Sequence, residues 1–347
     1  MFRIKAIQVE EGDALLVSYG DSQSPRHLLI DGGPVGSRDN LVAVLAAERV
    51  DGKLQLEALV ITHYDQDHIQ GVIELLEEMP SWLVIHDVWF NGYHHVQPPD
   101  LLGSAQGDRL SALIRSLGLR WNASFLGARD GREGPAIRQD TAAIKLADEL
   151  EVCVLSPDEA GLHALAAQWH NPSSVPSEPD DAPEDLLGRN DSWPPGSFKT
   201  YGGESRSDPS VPNRSSIALL LTFKEKRMLL AADAWCAVVK RGLDKHLLYD
   251  EPIDLLKVSH HGSKGNTDRS LLARIRCKRF LISTSGKTHK HPDHDLMGRL
   301  LADRNTPEIY FNYAQAWASD QLSVPADWPS YVAHGPVAND CYVQVDL

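Results

Sequence analysis

Short apolar segments, each closed by turn-forming residues, recur along almost the whole chain and restrict the fold more than any other feature of the sequence. They have the length and composition of β-strands. The segments are ALLVSYG, HLLIDGG, LEALVITH, LVIHDVWFNG, VCVLSP, SIALLLTF, RMLLAAD, DLLKVSHHG and RFLISTSG. Helix-like stretches lie between some of them, at residues 40–48, 69–78, 110–117 and 270–276. This mixture predicts an α/β fold of the mixed α+β kind, in which helices cover sheets, and not an all-parallel doubly wound sheet.

A segment rich in Pro, Ser and acidic residues, at about residues 171–212, interrupts this pattern. It has too few aliphatic residues to form part of a core. Because strand-like segments lie on both sides of it, we interpret it as an insertion into a single domain of residues 1–347, built from two halves that meet near residue 150. Trp193, Phe198 and Tyr201 would give the insertion a means of docking on the rest of the protein.

The charge is strongly acidic overall but basic in one segment. The formal net charge of −14 argues against a surface that binds polyanions over its whole extent. Between residues 257 and 300, ten basic residues stand against three acidic ones, a local charge of +7. This placement favours a phosphodiester substrate held locally, although several of these side chains could simply solvate a helix.

Cysteine usage and hydropathy predict a soluble, cytoplasmic protein without a membrane partner. The four cysteines lie far apart and form no CxxC pair, so neither a disulfide framework nor a zinc knuckle is predicted. The first residues alternate like a strand and lack the features of a secretory signal. No apolar run approaches the length needed to cross a bilayer.

The stretch THYDQDHIQG, residues 62–71, concentrates potential metal ligands directly after an apolar strand. His63, Asp65, Asp67 and His68 could converge on one point where the chain turns. Carboxylates this close, if buried and unpaired, would raise each other's pKa, whereas a divalent cation would keep them ionised. The alternative is a polar helix N-terminus with Asp67 as its cap. For the four residues together, we favour metal binding.

The pattern H-x-[HD]-x-D-H after an apolar strand resembles the signature of the metallo-β-lactamase superfamily. The third-position Asp, with LKVSHHGSK and HKHPDHDLM, is similar to the branch that includes the hydrolase domain of ComEC-type DNA-internalisation competence proteins. VEEGDALLV, LLIDGG, NRSSIALLLTF and RMLLAAD resemble further blocks of that branch, in the same order. The resemblance implies an αββα sandwich with metals at one edge of the paired sheets.

The resemblance also implies roles for single residues around two divalent metal ions. His63 and Asp65 would hold one ion, Asp67 and His68 the other, and Asp233 would bridge them. Either His260 or His261 would complete the second site. We place His260 with the metal ligands and His261 with Asp67 and His291 as catalytic residues, and the choice within the histidine pair stays open.

The remaining candidates surround this set. His291 would be a ligand or the proton donor to the leaving group. Asp31 would order the site through hydrogen bonds, and Asn213 stands nearest to a histidine that other relatives have before the central strand. Ser263, Lys264 and Lys287 are the candidate substrate-binding residues. Oxygen donors at Asp65 and Asn213 in place of imidazoles make the first site harder, which shifts the preference from zinc toward manganese or magnesium, whereas the order of affinities still favours zinc. Zinc or manganese is therefore expected, with magnesium as a further option.

Each assignment has a structural alternative. Asp233 could cap a helix, and the pair His260 and His261 could be a solvated turn. At least one of three later histidines (His289, His291 and His294) is expected at the surface. For His94 and His95, in NGYHHVQ, a solvated loop is favoured.

These observations lead to a first hypothesis of a metal-dependent phosphodiesterase, a nuclease that hydrolyses DNA through a metal-activated water. The sequence contains no P-loop, dinucleotide-binding glycine motif or iron–sulfur cysteine set. An alternative is the hydrolysis of a small ester, lactone or phosphorylated metabolite, with the insertion at 171–212 as a lid. Another is an inactive scaffold of the same fold. The insertion could also bind a protein partner.

Overall fold

A computed structural model describes residues 1–96, 105–125, 131–169, 191–248, 252–302 and 304–347. Two β-sheets pack face to face, and helices cover the outer face of each. The fold is therefore a mixed α/β sandwich with the layers αββα, which confirms the fold class predicted from the sequence.

The first sheet combines antiparallel and parallel strands in the order β15-β1-β2-β3-β4-β5, with β6 also paired to β4. The pairs from β15 to β3 are antiparallel, and β4 runs parallel to β3, β5 and β6. Its strands are β1 (Phe2–Ile7), β2 (Leu15–Gly20), β3 (Pro25–Ile30), β4 (Leu54–Val60), β5 (Leu83–Ile85), β6 (Val88–Trp89) and β15 (Tyr342–Asp346).

The second sheet has the order β14-β13-β12-β11-β10-β9-β8-β7. Its strands are parallel from β10 to β14 and antiparallel from β7 to β10. They are β7 (Ile144–Lys145), β8 (Glu151–Ser156), β9 (Ala218–Phe223), β10 (Lys226–Leu230), β11 (Leu255–Lys257), β12 (Arg279–Ile282), β13 (Glu308–Phe311) and β14 (Val332–His334).

The helices lie mainly on the outer faces of the two sheets. Those of the described chain are α1 (Arg38–Ala47), α2 (Gln66–Glu77), α3 (Tyr93–Val96), α4 (Ala105–Ser116), α5 (Glu159–Trp169), α6 (Val211–Arg214), α7 (Cys236–Lys245), α8 (Arg269–Ile275), α9 (His294–Leu301) and α10 (Ala316–Ser319). Apolar residues of α1, α2 and α4 pack on the first sheet, and those of α7, α8 and α9 pack on the second. None of the helices in the described ranges is long and apolar enough to cross a bilayer.

Burial on both faces explains why the central strands are almost continuously apolar. In β10, Met228 and Leu230 face the core between the sheets, whereas Leu229 packs in the core beneath the helices. A strand covered on both sides has no solvent face, so it needs no polar residue at every second position. The same argument accounts for the apolar run at the end of β4 that leads into the His63 motif.

The expected division into two halves near residue 150 needs one correction. Strands β1 to β6 form the first sheet and β7 to β14 the second, but the last strand, β15, returns to the first sheet and pairs with β1. This pairing covers the backbone groups along the outer edge of β1. The short β15 segment carries no motif that distinguishes the sheet to which it belongs.

The segment that we interpret as an insertion is described only in part, because residues 170–190 lie outside the described residues. Its later portion packs on the second half of the protein through aromatic rings. The ring of Trp193 lies 5.1 Å from that of Trp317, Phe198 lies 5.2 Å from Trp328, and Tyr201 lies 5.3 Å from His294. The docking role expected of these three aromatic residues is confirmed.

Candidate metal centre

The candidate site lies where strands of both sheets end. The loop after β4 carries His63, the loop after β10 carries Asp233, and the turn after β11 carries His260 and His261. These side chains meet although they come from different sheets, because the carboxyl ends of β4, β10 and β11 open at one edge of the sandwich.

Asp233 is at the centre of this group. Its side chain is buried, with the residue only 2% exposed. Four imidazole nitrogens surround one of its carboxylate oxygens, Oδ2: the Nε2 atoms of His68 at 3.4 Å, His261 at 3.6 Å, His260 at 3.8 Å and His63 at 4.0 Å. The other oxygen, Oδ1, is buried and has no hydrogen-bond partner among the described residues.

The first turn of α2 supplies the carboxylates opposite Asp233. Asp65 is the N-cap residue, and its Oδ2 lies 3.6 Å from His63 Nε2. Asp67 Oδ2 lies 3.3 Å from His261 Nε2 and 3.7 Å from His68 Nε2. The ligating atoms fall into two groups that share His68, one with His63 and Asp233 and the other with Asp67 and His261.

Two glycines bring α2 close enough for this arrangement. A Cβ at Gly71 would lie 1.9 Å from the carbonyl oxygen of Gly32, and a Cβ at Gly12 would lie 1.8 Å from that of Asp67. The Gly71 backbone N–H donates to the Gly33 carbonyl at 2.9 Å. Any side chain at either glycine would push the first turn of α2 away from its neighbours.

Asp31, at the end of β3, fixes the orientation of the site. Its carboxylate accepts hydrogen bonds from the Thr62 backbone N–H at 2.8 Å and the Thr62 hydroxyl at 2.7 Å. It also lies 2.9 Å from His68 Nδ1. An imidazole whose Nδ1–H is donated to a carboxylate keeps Nε2 free to ligate, so Asp31 occupies a supporting position.

His260 and His261 both point into the site because the chain reverses between β11 and α8. Their φ angles are 49° and 52°, in the left-handed region. His261 Nδ1 lies 3.0 Å from the Ser283 carbonyl oxygen, and its Nε2 joins Asp67 and His68. The structure thus places His261 in the group with Asp67 and His68, where the sequence left the choice between His260 and His261 open. His260 approaches Asp233 from another side.

Two residues outside the sequence-based set hold His260. Asp208 Oδ2 lies 3.3 Å from His260 Nδ1 and accepts hydrogen bonds from Asn213 Nδ2 at 2.7 Å and Asn266 Nδ2 at 2.9 Å. Asn266 Oδ1 lies 3.0 Å from the same Nδ1. No motif marks Asp208, which belongs to the polar segment 171–212, so only the folded chain brings it to the site.

Asp13 is a further residue that sequence reasoning missed. It is buried, forms an ion pair with the fully buried Lys257, and has Oδ1 at 3.5 Å from His261 Nδ1. The available signal was an aspartate among apolar residues in VEEGDALLV, which we used only as part of a resemblance. The ion pair joins β11 to the loop between β1 and β2, next to the candidate centre.

The charges in the site depend strongly on one another. Burial would raise the pKa of Asp233, but the charges of His68, His261 and His260 hold that pKa well below its usual range. Burial would lower the pKa of His261, but Asp233 and Asp13 raise it to about 10. The same balance raises the pKa of His260 to about 9. The Asp233 carboxylate therefore stays ionised because positive charge surrounds it.

The other predicted residues lie at the edge of this centre or beyond it. His291 is buried, with Nδ1 at 3.2 Å from Asp293 Oδ1 and its ring 6.1 Å from that of His260. Ser263 is also buried, and its hydroxyl accepts a hydrogen bond from the Gly265 N–H at 3.3 Å. The Lys264 backbone N–H donates to Asp293 at 2.7 Å. Lys287 pairs with Glu10 at 2.8 Å, so its charge is already matched.

The basic segment between residues 257 and 300 is less available than its composition indicated. Lys257 is buried against Asp13, and Arg299 is buried and donates to the carbonyl oxygens of Gly203, Lys264 and Thr267. Arg274 pairs with Asp244 at 2.6 Å. Much of the local positive charge therefore serves the fold, as the alternative interpretation expected for part of it.

Comparison with known proteins finds a family match for part of the chain. Residues 24–90, which include Asp31, His63, Asp65, Asp67 and His68, match the family model described as the metallo-beta-lactamase superfamily. No curated protein matches its sequence.

Several solved structures are similar to the chain at low sequence identity. The metallo-beta-lactamase fold protein YhfI from Bacillus subtilis is 11% identical, with 90% of this chain and 96% of that chain covered and a TM-score of 0.44. Zn(2+)-bound PqqB from Methylobacterium extorquens is 10% identical, with both chains fully covered at 100% and a TM-score of 0.44. Human tRNase Z, short form, is 12% identical, with 81% of this chain and 92% of that chain covered and a TM-score of 0.38.

The donor atoms fit a centre for divalent metal ions. Three buried polar atoms near the centre, His63 Nε2, Asp233 Oδ1 and Asn213 Oδ1, have no hydrogen-bond partner among the described residues. The Nε2 atoms of His68 and His261 lie only 3.2 Å apart. Leaving such atoms unpaired is costly, and a cation coordinated by them would remove the cost. The residues that would hold metal are His63, Asp65, Asp67, His68, Asp233 and His261, with His260 beside them.

Proposed function

We propose that this protein is a metal-dependent phosphodiesterase whose substrate is DNA. The observation that carries the proposal is the environment of Asp233, a buried carboxylate that faces four imidazoles and has one oxygen without a partner in the described chain. Such a carboxylate suits a bridge between two cations, because each oxygen can serve a different ion.

The bound cations would supply a Lewis acid and a water molecule of lowered pKa. The residues of the chain then have separate tasks. Asp31 holds His68 by Nδ1, so that Nε2 faces the centre. Asp208 and Asn266 hold His260 in the same way. His291, at the rim and held by Asp293, is placed to give a proton to the leaving oxygen.

The donor set supports a phosphate substrate. Three carboxylates (Asp65, Asp67 and Asp233) contribute hard oxygen ligands, which suit manganese and magnesium as well as zinc. Such ions also bind phosphoryl oxygens and stabilise the charge that develops at phosphorus. The resemblance of the sequence blocks to ComEC-type proteins supports DNA as the polymer.

A second candidate, hydrolysis of a small phosphodiester or phosphorylated metabolite, is favoured by a specific observation. The basic residues between 257 and 300 include Lys257, Arg274, Lys287 and Arg299, each of which is buried or paired with an acid. A long polyanion needs many unpaired cationic contacts, whereas one small phosphate needs only the metal centre and a few donors.

An activity panel separates these candidates. The protein, loaded in turn with Mn²⁺, Mg²⁺ or Zn²⁺, is given linear single- and double-stranded DNA, RNA and a chromogenic phosphodiester. Cleavage of DNA that is lost in Asp233→Asn and kept in His163→Ala, an exposed histidine of α5, supports the proposal. Turnover of the small diester with intact polymers would replace it with the second candidate. Metal uptake without turnover of any substrate would overturn both.

A further inference from the structure

A second group of possible ligands lies apart from the Asp233 centre. His94 and His95 are in α3, and Glu133 comes from the stretch that pairs with Trp121. Each offers one ligating atom, and these atoms all lie within 4.8 Å of one another. We call His94, His95 and Glu133 the His94 group.

The two histidines are not in a solvated loop, which corrects the interpretation that we favoured from the sequence. Their rings lie 3.9 Å apart, and both meet the Trp121 ring edge-on, His94 at 4.5 Å and His95 at 4.9 Å. Glu133 is held beside them because the Gly134 N–H donates to the Trp121 carbonyl at 2.8 Å. Trp121 therefore contacts both histidines through its ring and positions Glu133 through its backbone.

The polar atoms of this group are poorly satisfied by the protein. His95 Nδ1 is buried and has no hydrogen-bond partner within the described ranges. His94 Nε2 contacts Glu133 Oε1, an oxygen that also lies 3.9 Å from the Arg115 guanidinium.

We propose that the His94 group binds one divalent cation of the borderline class, such as Zn²⁺, independently of the Asp233 centre. Two imidazoles and one carboxylate are a ligand set that zinc accepts, and three protein ligands leave a coordination position for water or another ligand. The cation would satisfy the orphaned imidazole nitrogen and the Glu133 charge together.

The position of the group connects it to the Asp233 centre. α3 follows β6, which pairs in parallel with β4, the strand that leads to His63. Aromatic contacts continue the link, since Tyr64 lies 5.1 Å from Trp169 and Tyr93 lies 5.6 Å from the same ring. A cation at the His94 group would therefore lie at the edge of the first sheet where β4 and β6 both end, the same edge as the candidate metal centre.

The test counts metal ions and does not depend on activity. Metal-free Asp233→Asn protein, in which the main centre is impaired, is titrated with Co²⁺ and followed by absorption and by metal analysis after gel filtration. We expect adding Glu133→Gln or His95→Ala to weaken the remaining binding by at least about 10-fold, and adding His163→Ala to leave it unchanged. Glu133 is half-exposed, so its isosteric replacement keeps the fold, which circular dichroism checks.

Equal Co²⁺ binding with and without Glu133→Gln would overturn the proposal. The contact between His94 and Glu133 would then be a structural interaction without a metal. The result is separate from the proposed function, because an inactive protein that binds Co²⁺ through the His94 group would still confirm this second site. A protein that cleaves DNA without such binding would retain the first proposal and lose the second.

Discussion

Asp233 and Asp87 are both buried carboxylates, but their surroundings are opposite. Asp87 is 3% exposed and accepts four hydrogen bonds from the protein, from Trp89 Nε1, the backbone N–H groups of Ala123 and Ser124, and the Ser124 hydroxyl. Asp233 is 2% exposed, yet its nearest polar neighbours are imidazoles, and Oδ1 has no partner in the described chain. Burial alone does not distinguish a structural aspartate from a candidate metal ligand, whereas the groups that surround each carboxylate do differ.

The largest expected effect comes from Asp233→Asn. An amide cannot bridge two cations as a carboxylate does, so we expect hydrolysis to fall by at least about 10³-fold, equivalent to several kcal/mol of lost transition-state stabilisation. The variant should bind less metal but still fold, because the Asp233 side chain accepts no backbone hydrogen bond; part of the metal-free protein's stability is lost with the charge that faces the imidazoles. Turnover, metal content and denaturant unfolding measure the three quantities. Full activity in the variant would show that hydrolysis does not depend on the Asp233 carboxylate.

Asp87→Ala should have the opposite result. It leaves the Trp89 indole N–H and the N–H groups of Ala123 and Ser124 without their acceptor, each at a cost of about 1–3 kcal/mol. We expect the free energy of unfolding to fall by about 3 kcal/mol, with metal content unchanged. Asp39→Ala, which removes an exposed carboxylate, is the matched control. If a folded Asp87→Ala protein lost metal, Asp87 would also contribute to metal binding and the distinction between the two aspartates would be wrong.

Buried histidines also differ in their surroundings: His27 contacts a neutral hydroxyl, whereas His260 and His261 face carboxylates. The environment of His27 leads to a predicted pH dependence of stability. His27 is buried with Nδ1 at 2.9 Å from the Ser18 hydroxyl, and burial lowers its pKa to about 4. The unfolded chain takes up this proton below a pH of about 6.5, but the folded chain does not until about 4. Stability is thus fully present above about pH 6.5 and falls as the pH drops towards 4, by at most about 3 kcal/mol.

Denaturant unfolding at about pH 7 and about pH 4.5 measures this loss of stability. In His27→Gln the difference between the two conditions should be smaller than in the unmodified protein, since glutamine does not titrate. An equal difference in both proteins would assign the acid sensitivity to other groups.

The smallest expected effect is that of Asp208, which acts through His260. We expect Asp208→Ala to lower kcat by about 10-fold with little change in KM, because the loss of a residue that orients a ligating histidine typically costs 10- to 100-fold. Asp208→Asn keeps the shape and one acceptor oxygen and should recover part of the rate. Equal kcat values for the alanine variant and the unmodified protein would show that Asn266 alone holds His260.

The sequence predicts the layers of the fold better than the edges of its sheets. Long central strands such as β4 and β9 carry enough apolar residues to be found by pattern. β6 and β7 have two residues each, too few to show any periodicity. The exchange of β15 into the first sheet depends on a pairing between chain ends, which no local pattern encodes.

The candidate site divides in a similar way. His63 to His68 lie within one motif, so the sequence alone brings them together. Asp208 and Asn266 meet His260 only in the folded chain. The roles of His260 and His261 follow from two positive φ angles, which set different directions for adjacent side chains. Spacing along the chain contains no such information.

The ligating side chains come from both sheets, and this has a consequence for the newly made protein. During synthesis, a chain that has formed only β1 to β6 possesses His63, Asp67 and His68 but lacks Asp233 and His261. Such an intermediate has only half of the candidate cation-binding centre. The centre would therefore be complete only after the second sheet has packed against the first.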